Sequence, residues 1–178
     1  MYIAAMQKPK KFNIFRSVRD IEAYTLNLPT DACYKYISTG GFSSISFIKF
    51  VADRTKINAL TVTTLRVGRK ELQLLNLLHS QGRLNKCTII TSDLMRKDSV
   101  KVKGYKYFDD LGRVCKTNGW QLSTAKNHSK VLLFDTESGK YVIETSSNLN
   151  ENPKIEQFSF ERSKDLYHFY YSFFCEMR

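Results

Sequence analysis

The stretch His128-Ser-Lys-Val-Leu-Leu-Phe-Asp135, followed by Thr136-Glu-Ser-Gly-Lys140 and Tyr141-Val-Ile-Glu-Thr145-Ser-Ser-Asn148, decides how this chain is read. Lys130 to Phe134 is apolar and predicts a strand. Thr136 to Lys140 carries hairpin-turn residues, and Tyr141 to Thr145 predicts the partner strand. Side chains alternate along a strand, so His128 and Lys130 are expected on one face. The hairpin then returns Ser146 and Asn148 beside them.

Upstream of this hairpin the pattern alternates between strand and helix. Cys33 to Ser38 reads as a strand ended by Gly40-Gly41, and Ser43 to Asp53 as a helix with cap residues at its start. Ile57 to Leu65 is β-branched and predicts a buried strand, Glu71 to His79 a leucine-rich helix closed by Gly82, and Cys87 to Ser92 a further strand. Tyr105 to Asn118 predicts a second amphipathic helix, and Trp120 to Ser123 a strand leading to the motif. Downstream, Ile155 to Phe160 predicts a last strand. Glu161 to Arg178 predicts a closing helix with Leu166, Phe169, Tyr170, Phe173 and Phe174 on one side. The expectation is a single α/β domain over residues 1–178, one mixed sheet with helices on both faces. Residues 1–34 are an N-terminal extension of uncertain structure.

Composition bounds the partners. The 28 basic against 17 acidic residues give a formal charge of +11, which favours a polyanion such as DNA or RNA. Basic residues gather in Arg54-Thr-Lys56, in Arg66, Arg69 and Lys70, and in Arg96-Lys97 through Lys101, Lys103 and Lys106. Arg66, Arg69, Lys70, Lys101, Lys103 and Lys106 are the candidate nucleic-acid contacts, with Tyr105 and Tyr107 interleaved as stacking platforms. Cys33, Cys87, Cys115 and Cys175 are scattered, with no C-x-x-C pair. They read as reduced core thiols in a cytoplasmic protein, and no metal or other cofactor is expected. No apolar run approaches the ~20 residues of a membrane span, and the N-terminus lacks a secretory pattern, so no membrane partner is expected. Gly40-Gly41 lacks the G-x-x-x-x-G-K pattern and reads as a turn.

The motif has its own chemistry. Cleaving a phosphodiester without metal needs a nucleophile for phosphorus and donors for the non-bridging oxygens. A neutral imidazole held at its far nitrogen can attack and form a phosphohistidine, which assigns that role to His128. Lys130, Ser146 and Asn148 supply the donors. Asp135, at the far end of the strand, is expected to fix the turn by Asx-type bonding. His79, at a helix end, and His168, among aromatics, are expected to be structural.

His128-Ser-Lys-Val-Leu-Leu-Phe-Asp135 with Ser146-Ser-Asn148 resembles the H-x-K-x4-D signature of the phospholipase D superfamily. The resemblance covers residues 128 to about 157. Long members carry two such motifs in one chain and this chain carries one, which implies a small nuclease-like member whose homodimer builds a composite site. One histidine would attack and its symmetry mate would protonate the leaving group. Glu156 would be the acid that orients the histidine. The family has glycine where Thr145 stands here. That side chain is expected to narrow the pocket, slow the chemistry, or point away. The leading expectation is a metal-independent phosphodiesterase acting on nucleic acid. The alternatives are a nucleic-acid-binding protein of this fold with little or no catalysis and, behind both, a phospholipid phosphodiesterase.

Overall fold

The computed structural model describes residues 8–15, 27–101, 107–151 and 153–176. Its strands are β1 (Lys10–Phe15), β2 (Cys33–Ser38), β3 (Ile57–Thr64), β4 (Leu84–Ser92), β5 (Gln121–Ala125), β6 (Val131–Thr136), β7 (Gly139–Thr145) and β8 (Glu156–Arg162). Its helices are α1 (Ile45–Ala52), α2 (Arg69–Ser80), α3 (Asp93–Lys101), α4 (Tyr107–Thr117) and α5 (Lys164–Glu176). The strands form one sheet in the order β1-β2-β8-β7-β6-β3-β4-β5. β1 runs parallel to β2, and β3, β4 and β5 run parallel to one another. Between them β2, β8, β7, β6 and β3 are antiparallel neighbours.

Strand alternation divides the core into two layers. On one face Tyr36, Leu60, Val62, Leu132, Phe134, Ile143, Phe158 and Phe160 pack with α1, α2 and α4. Phe47 of α1 is fully buried there, its ring centroid 5.1 to 5.8 Å from those of Tyr36, Phe42, Phe158 and Phe160. On the other face Ile90, Val131, Leu133 and Val142 pack beneath α5 through Tyr167 and Phe174. The mixed sheet with helices on both faces is therefore as the sequence implies.

Several local expectations change. Lys10–Phe15 joins the sheet as an edge strand, so part of the N-terminal stretch is built into the domain. α3 is a helix that hydropathy does not announce, since Asp93-Leu-Met-Arg-Lys-Asp-Ser-Val-Lys101 has few apolar positions, of which Met95 is fully buried. β8 continues to Arg162, and α5 starts only after Ser163, whose hydroxyl accepts from the Leu166 amide at 3.2 Å. The buried stripe of α5 is Tyr167 and Phe174, whereas Phe169 and Phe173 are exposed.

The hairpin that carries the motif is tighter than its sequence suggests. Thr136 pairs with Gly139, leaving Glu137-Ser138 as a two-residue turn. The Thr136 hydroxyl donates to the Gly139 carbonyl at 2.8 Å and accepts from the Ser138 amide at 3.2 Å. Asp135, expected in that role, instead pairs with Lys140 across the strands at 2.9 Å. Its side chain points out of the pleat, one residue too early to reach the turn amides. Asp135 also lines a cavity of about 290 Å³ with Gly139, Lys140, Arg162 and Lys164, at the end of the sheet opposite His128.

Candidate active site

The carboxyl ends of β2, β3 and β4 meet the start of β6, the end of β7 and the start of β8 at one end of the sheet. In open α/β sheets this is where ligands bind. His128, Lys130, Ser146, Asn148 and Glu156 all lie there. Strand alternation predicts His128 and Lys130 on one face with Ser146 and Asn148 returning beside them, but β6 begins at Val131 and β7 ends at Thr145. The polar motif residues thus occupy the two loops beside β6, and hydrogen bonds rather than strand alternation fix them.

The first loop is held by residues the motif does not include. Asn127 is buried, and its amide nitrogen donates to the carbonyls of Thr64 and Ile90 at 3.4 and 3.3 Å, near the carboxyl ends of β3 and β4. Its amide oxygen accepts from the Ser129 amide at 2.9 Å and the Ser129 hydroxyl at 2.6 Å. The Ser129 hydroxyl also lies 3.0 Å from the Thr63 hydroxyl, which accepts from the Val131 amide. His128 therefore stands between two anchored neighbours with its own ring exposed. Asn127→Ala strands these buried groups and is expected to cost about 1–3 kcal/mol. A lower urea midpoint at unchanged m-value would show it, and an unmoved midpoint would rule the clamp out.

The second loop hangs from the same end of β3. The Asn148 side-chain oxygen accepts from the Leu65 amide at 3.2 Å, and the Thr64 hydroxyl accepts from the Leu149 amide at 2.9 Å. The Asn148 carbonyl accepts from Ser44 at the start of α1 at 3.1 Å. This geometry commits the Asn148 oxygen to the scaffold and keeps its amide N–H groups as the donors for an anion. Gly40 has a positive φ of 109°, and a Cβ there would collide with the Pro153 carbonyl, so glycine is needed where the β2 exit passes this loop.

Thr145 answers the question its position raises. Its hydroxyl donates to the Gln157 carbonyl at 2.8 Å and accepts from the Ser147 amide at 2.9 Å. Those bonds turn the chain out of β7, so the oxygen is committed to the backbone.

Ser146 and Glu156 take up roles different from those the sequence suggests. The Ser146 hydroxyl donates to the buried Glu156 carboxylate and accepts from the Gln157 amide at 3.0 Å. Glu156, expected to hold the histidine, is thus bonded to Ser146. Its charge reaches Lys130: burial lowers the Lys130 pKa, and the Glu156 carboxylate pulls against that shift. The Lys130 ammonium lies 3.2 Å from Nδ1 of His128 and 2.8 Å from the His128 carbonyl oxygen. The site can therefore offer an exposed imidazole, an ammonium and an amide to one phosphate, with a carboxylate behind the ammonium. Among the described residues no group of three or more acidic, histidine or cysteine side chains is placed to hold a metal ion.

The candidate nucleic-acid contacts are arranged otherwise than a free basic surface. Arg66 pairs with Asp98, Arg69 with Asp110 at 3.3 Å, and Lys70 with Glu151 at 3.5 Å. Arg69 also lies over the Tyr107 ring at 4.6 Å. These partners stand 32 to 81 residues away in sequence, beyond any local pattern. Lys101 is exposed near the end of α3, while Lys103, Tyr105 and Lys106 lie outside the described residues. His79 donates from Nδ1 to the Leu84 carbonyl at 2.9 Å and packs edge-on to Trp120, a structural place. No described helix is long and apolar enough to cross a membrane.

No protein-family model and no curated protein matches the sequence. Solved structures do match. The polyphosphate kinase of Porphyromonas gingivalis superposes with a TM-score of 0.61 at 13% identity, over 82% of this chain and 26% of that one. The phosphatidylserine synthase of Haemophilus influenzae Rd KW20 superposes with a TM-score of 0.52 at 15% identity, over 74% of this chain and 35% of that one. This chain thus spans about a quarter and about a third of their lengths. At such identities the likeness shows the fold alone, a mixed α/β sheet flanked by helices.

Proposed function

We propose that this protein is a single-motif member of the phospholipase D superfamily, a metal-independent phosphodiesterase that cleaves nucleic acid through a phosphohistidine. The observation that carries the reading is the convergence of His128, Lys130, Ser146, Asn148 and Glu156 at one end of the sheet. His128 is the nucleophile. Lys130 and the Asn148 amide stabilise charge on the non-bridging oxygens, and Ser146 positions Glu156. Both neighbours by fold are enzymes whose names place phosphate groups in their substrates or products.

One motif supplies one histidine, so the leaving group needs an acid from elsewhere. A two-fold homodimer brings a second His128 to the same phosphate. The direct test is hydrolysis of single- and double-stranded DNA, RNA and bis(p-nitrophenyl) phosphate with excess chelator, beside His128→Ala. Retained cleavage in the variant would sink the mechanism. Mixing wild type with excess His128→Ala tests the assembly, since subunit exchange should lower activity per wild-type chain. Activity that simply tracks the wild-type concentration would identify a self-sufficient monomer. Turnover of phospholipid vesicles without nucleic-acid cleavage would move the substrate to lipid.

A second reading has its own support in the paired cations. A nucleic-acid-binding protein with little catalysis would use the charge of +11 while Asp98, Asp110 and Glu151 temper the affinity. Asp110 pairs with both Arg69 and Arg113. Asp110→Asn is expected to tighten binding and steepen the salt dependence, by about 0.9 in log–log slope for each further phosphate neutralised. Binding isotherms at several salt concentrations measure it. An unchanged slope would remove Arg69 from the interface.

A further inference from the structure

We infer that Lys130 holds His128 in the tautomer protonated at Nε2, so that the histidine becomes nucleophilic only when a phosphate group draws the lysine away. The inference deepens the phosphodiesterase reading, and its second half rests on it. The Lys130 ammonium reaches Nδ1 of His128 at 3.2 Å and the His128 carbonyl oxygen at 2.8 Å. An ammonium has three donors and no acceptor, so at Nδ1 it meets a lone pair. The single proton of the neutral imidazole then sits on Nε2. Burial works against the charged lysine that makes this bond, and the Glu156 carboxylate behind it works for it.

That tautomer cannot attack phosphorus. Nε2 is the ring nitrogen not occupied by Lys130, and with a proton on it no in-plane lone pair remains to form an N–P bond. A phosphodiester changes the balance, because its anionic oxygens bind the ammonium more strongly than a neutral ring nitrogen does. Once Lys130 turns to the phosphate, Nδ1 takes a proton from water while Nε2 gives one to water, with no net change in charge. The freed Nε2 lone pair forms the N–P bond as the P–O bond to the leaving group breaks. The leaving oxygen takes its proton from the acid of the composite site, and the ring keeps its Nδ1 proton as a cation. Lys130 is then both the phosphate ligand and the catch that keeps the empty site idle.

The test is ¹⁵N spectroscopy of the full chain with labelled histidine, with His128 assigned by its disappearance in His128→Gln. The free protein should show Nδ1 as a bare, strongly downfield nitrogen and the proton on Nε2. Lys130→Met should relax His128 toward the mixture of both tautomers found in water. Inorganic phosphate added to wild type should shift Nδ1 markedly upfield as it gains its proton. A proton on Nδ1 in the free protein, or identical spectra for wild type and Lys130→Met, would overturn the inference. A phosphate titration that leaves His128 unmoved would overturn the release step. None of these signals depends on turnover, so a protein with the expected spectra and no phosphodiesterase activity would refute the function while leaving the tautomer in place.

Discussion

His128→Ala is expected to lower kcat for phosphodiester cleavage by about a thousandfold or more, with KM little changed. On the proposed mechanism, removing the nucleophile abolishes the covalent route. Lys130 and the Asn148 amide remain, so the phosphate can still bind and some electrostatic assistance survives. The residue is exposed, and its ring bonds to Lys130 of the same loop, so the fold should be untouched. Unchanged thermal unfolding beside the lost kcat would assign the effect to chemistry. A loss confined to KM would make His128 a binding residue. Trapping of a phosphorylated chain in wild type and not in the variant is the accompanying signature.

Phe47→Ala is expected to destabilise the domain by roughly 3–5 kcal/mol, a large share of the stability of a chain this size. Phe47 is fully buried at the centre of an aromatic cluster that joins α1 to β2 and β8, so its removal leaves a ring-sized void. Surrounding rings at 5.1 to 5.8 Å also lose edge and tilted contacts. β8 opens with Glu156, so partial collapse into the void should disturb the site even in molecules that stay folded. Denaturant titration measures the first effect, and kcat under native conditions the second. A loss below about 1 kcal/mol would mean that the cluster repacks freely.

The framework was legible because its signals are local. Alternation and β-branched residues mark Ile57–Thr64 and Tyr141–Thr145, and glycines mark the ends of α2 and α4. Spacing and resemblance point to His128, Lys130, Asn148 and Glu156 as candidates, and the structure gathers them at one end of the sheet. What sequence could not show were the bonds that give these residues their roles. Asn127 and Thr63, far apart in sequence, clamp the histidine loop together through Ser129. Ser146 reads as a phosphate ligand until its partner Glu156 is seen in place. The cations Arg66, Arg69 and Lys70 look free on paper because their acids are remote. β1 carries no strand signal because Lys-Lys-Phe-Asn-Ile-Phe mixes charge and aromatics at an edge, where only one side pairs.

The continuous meander β6-β7-β8 has a consequence for how the site comes into being. His128, Lys130, Ser146, Asn148 and Glu156 are carried on one unbroken antiparallel run with two short-range pairings, β6 with β7 and β7 with β8. Such pairings close small loops and form early, whereas the parallel ladder of β3, β4 and β5 must wait for distant segments to meet. The candidate reactive groups thus belong to a single cooperative unit, finished by docking on Thr63 and Thr64. Amide hydrogen exchange should find the strands β6 to β8 among the slowest in the molecule, with edge strand β1 opening first and leaving the reactive end intact.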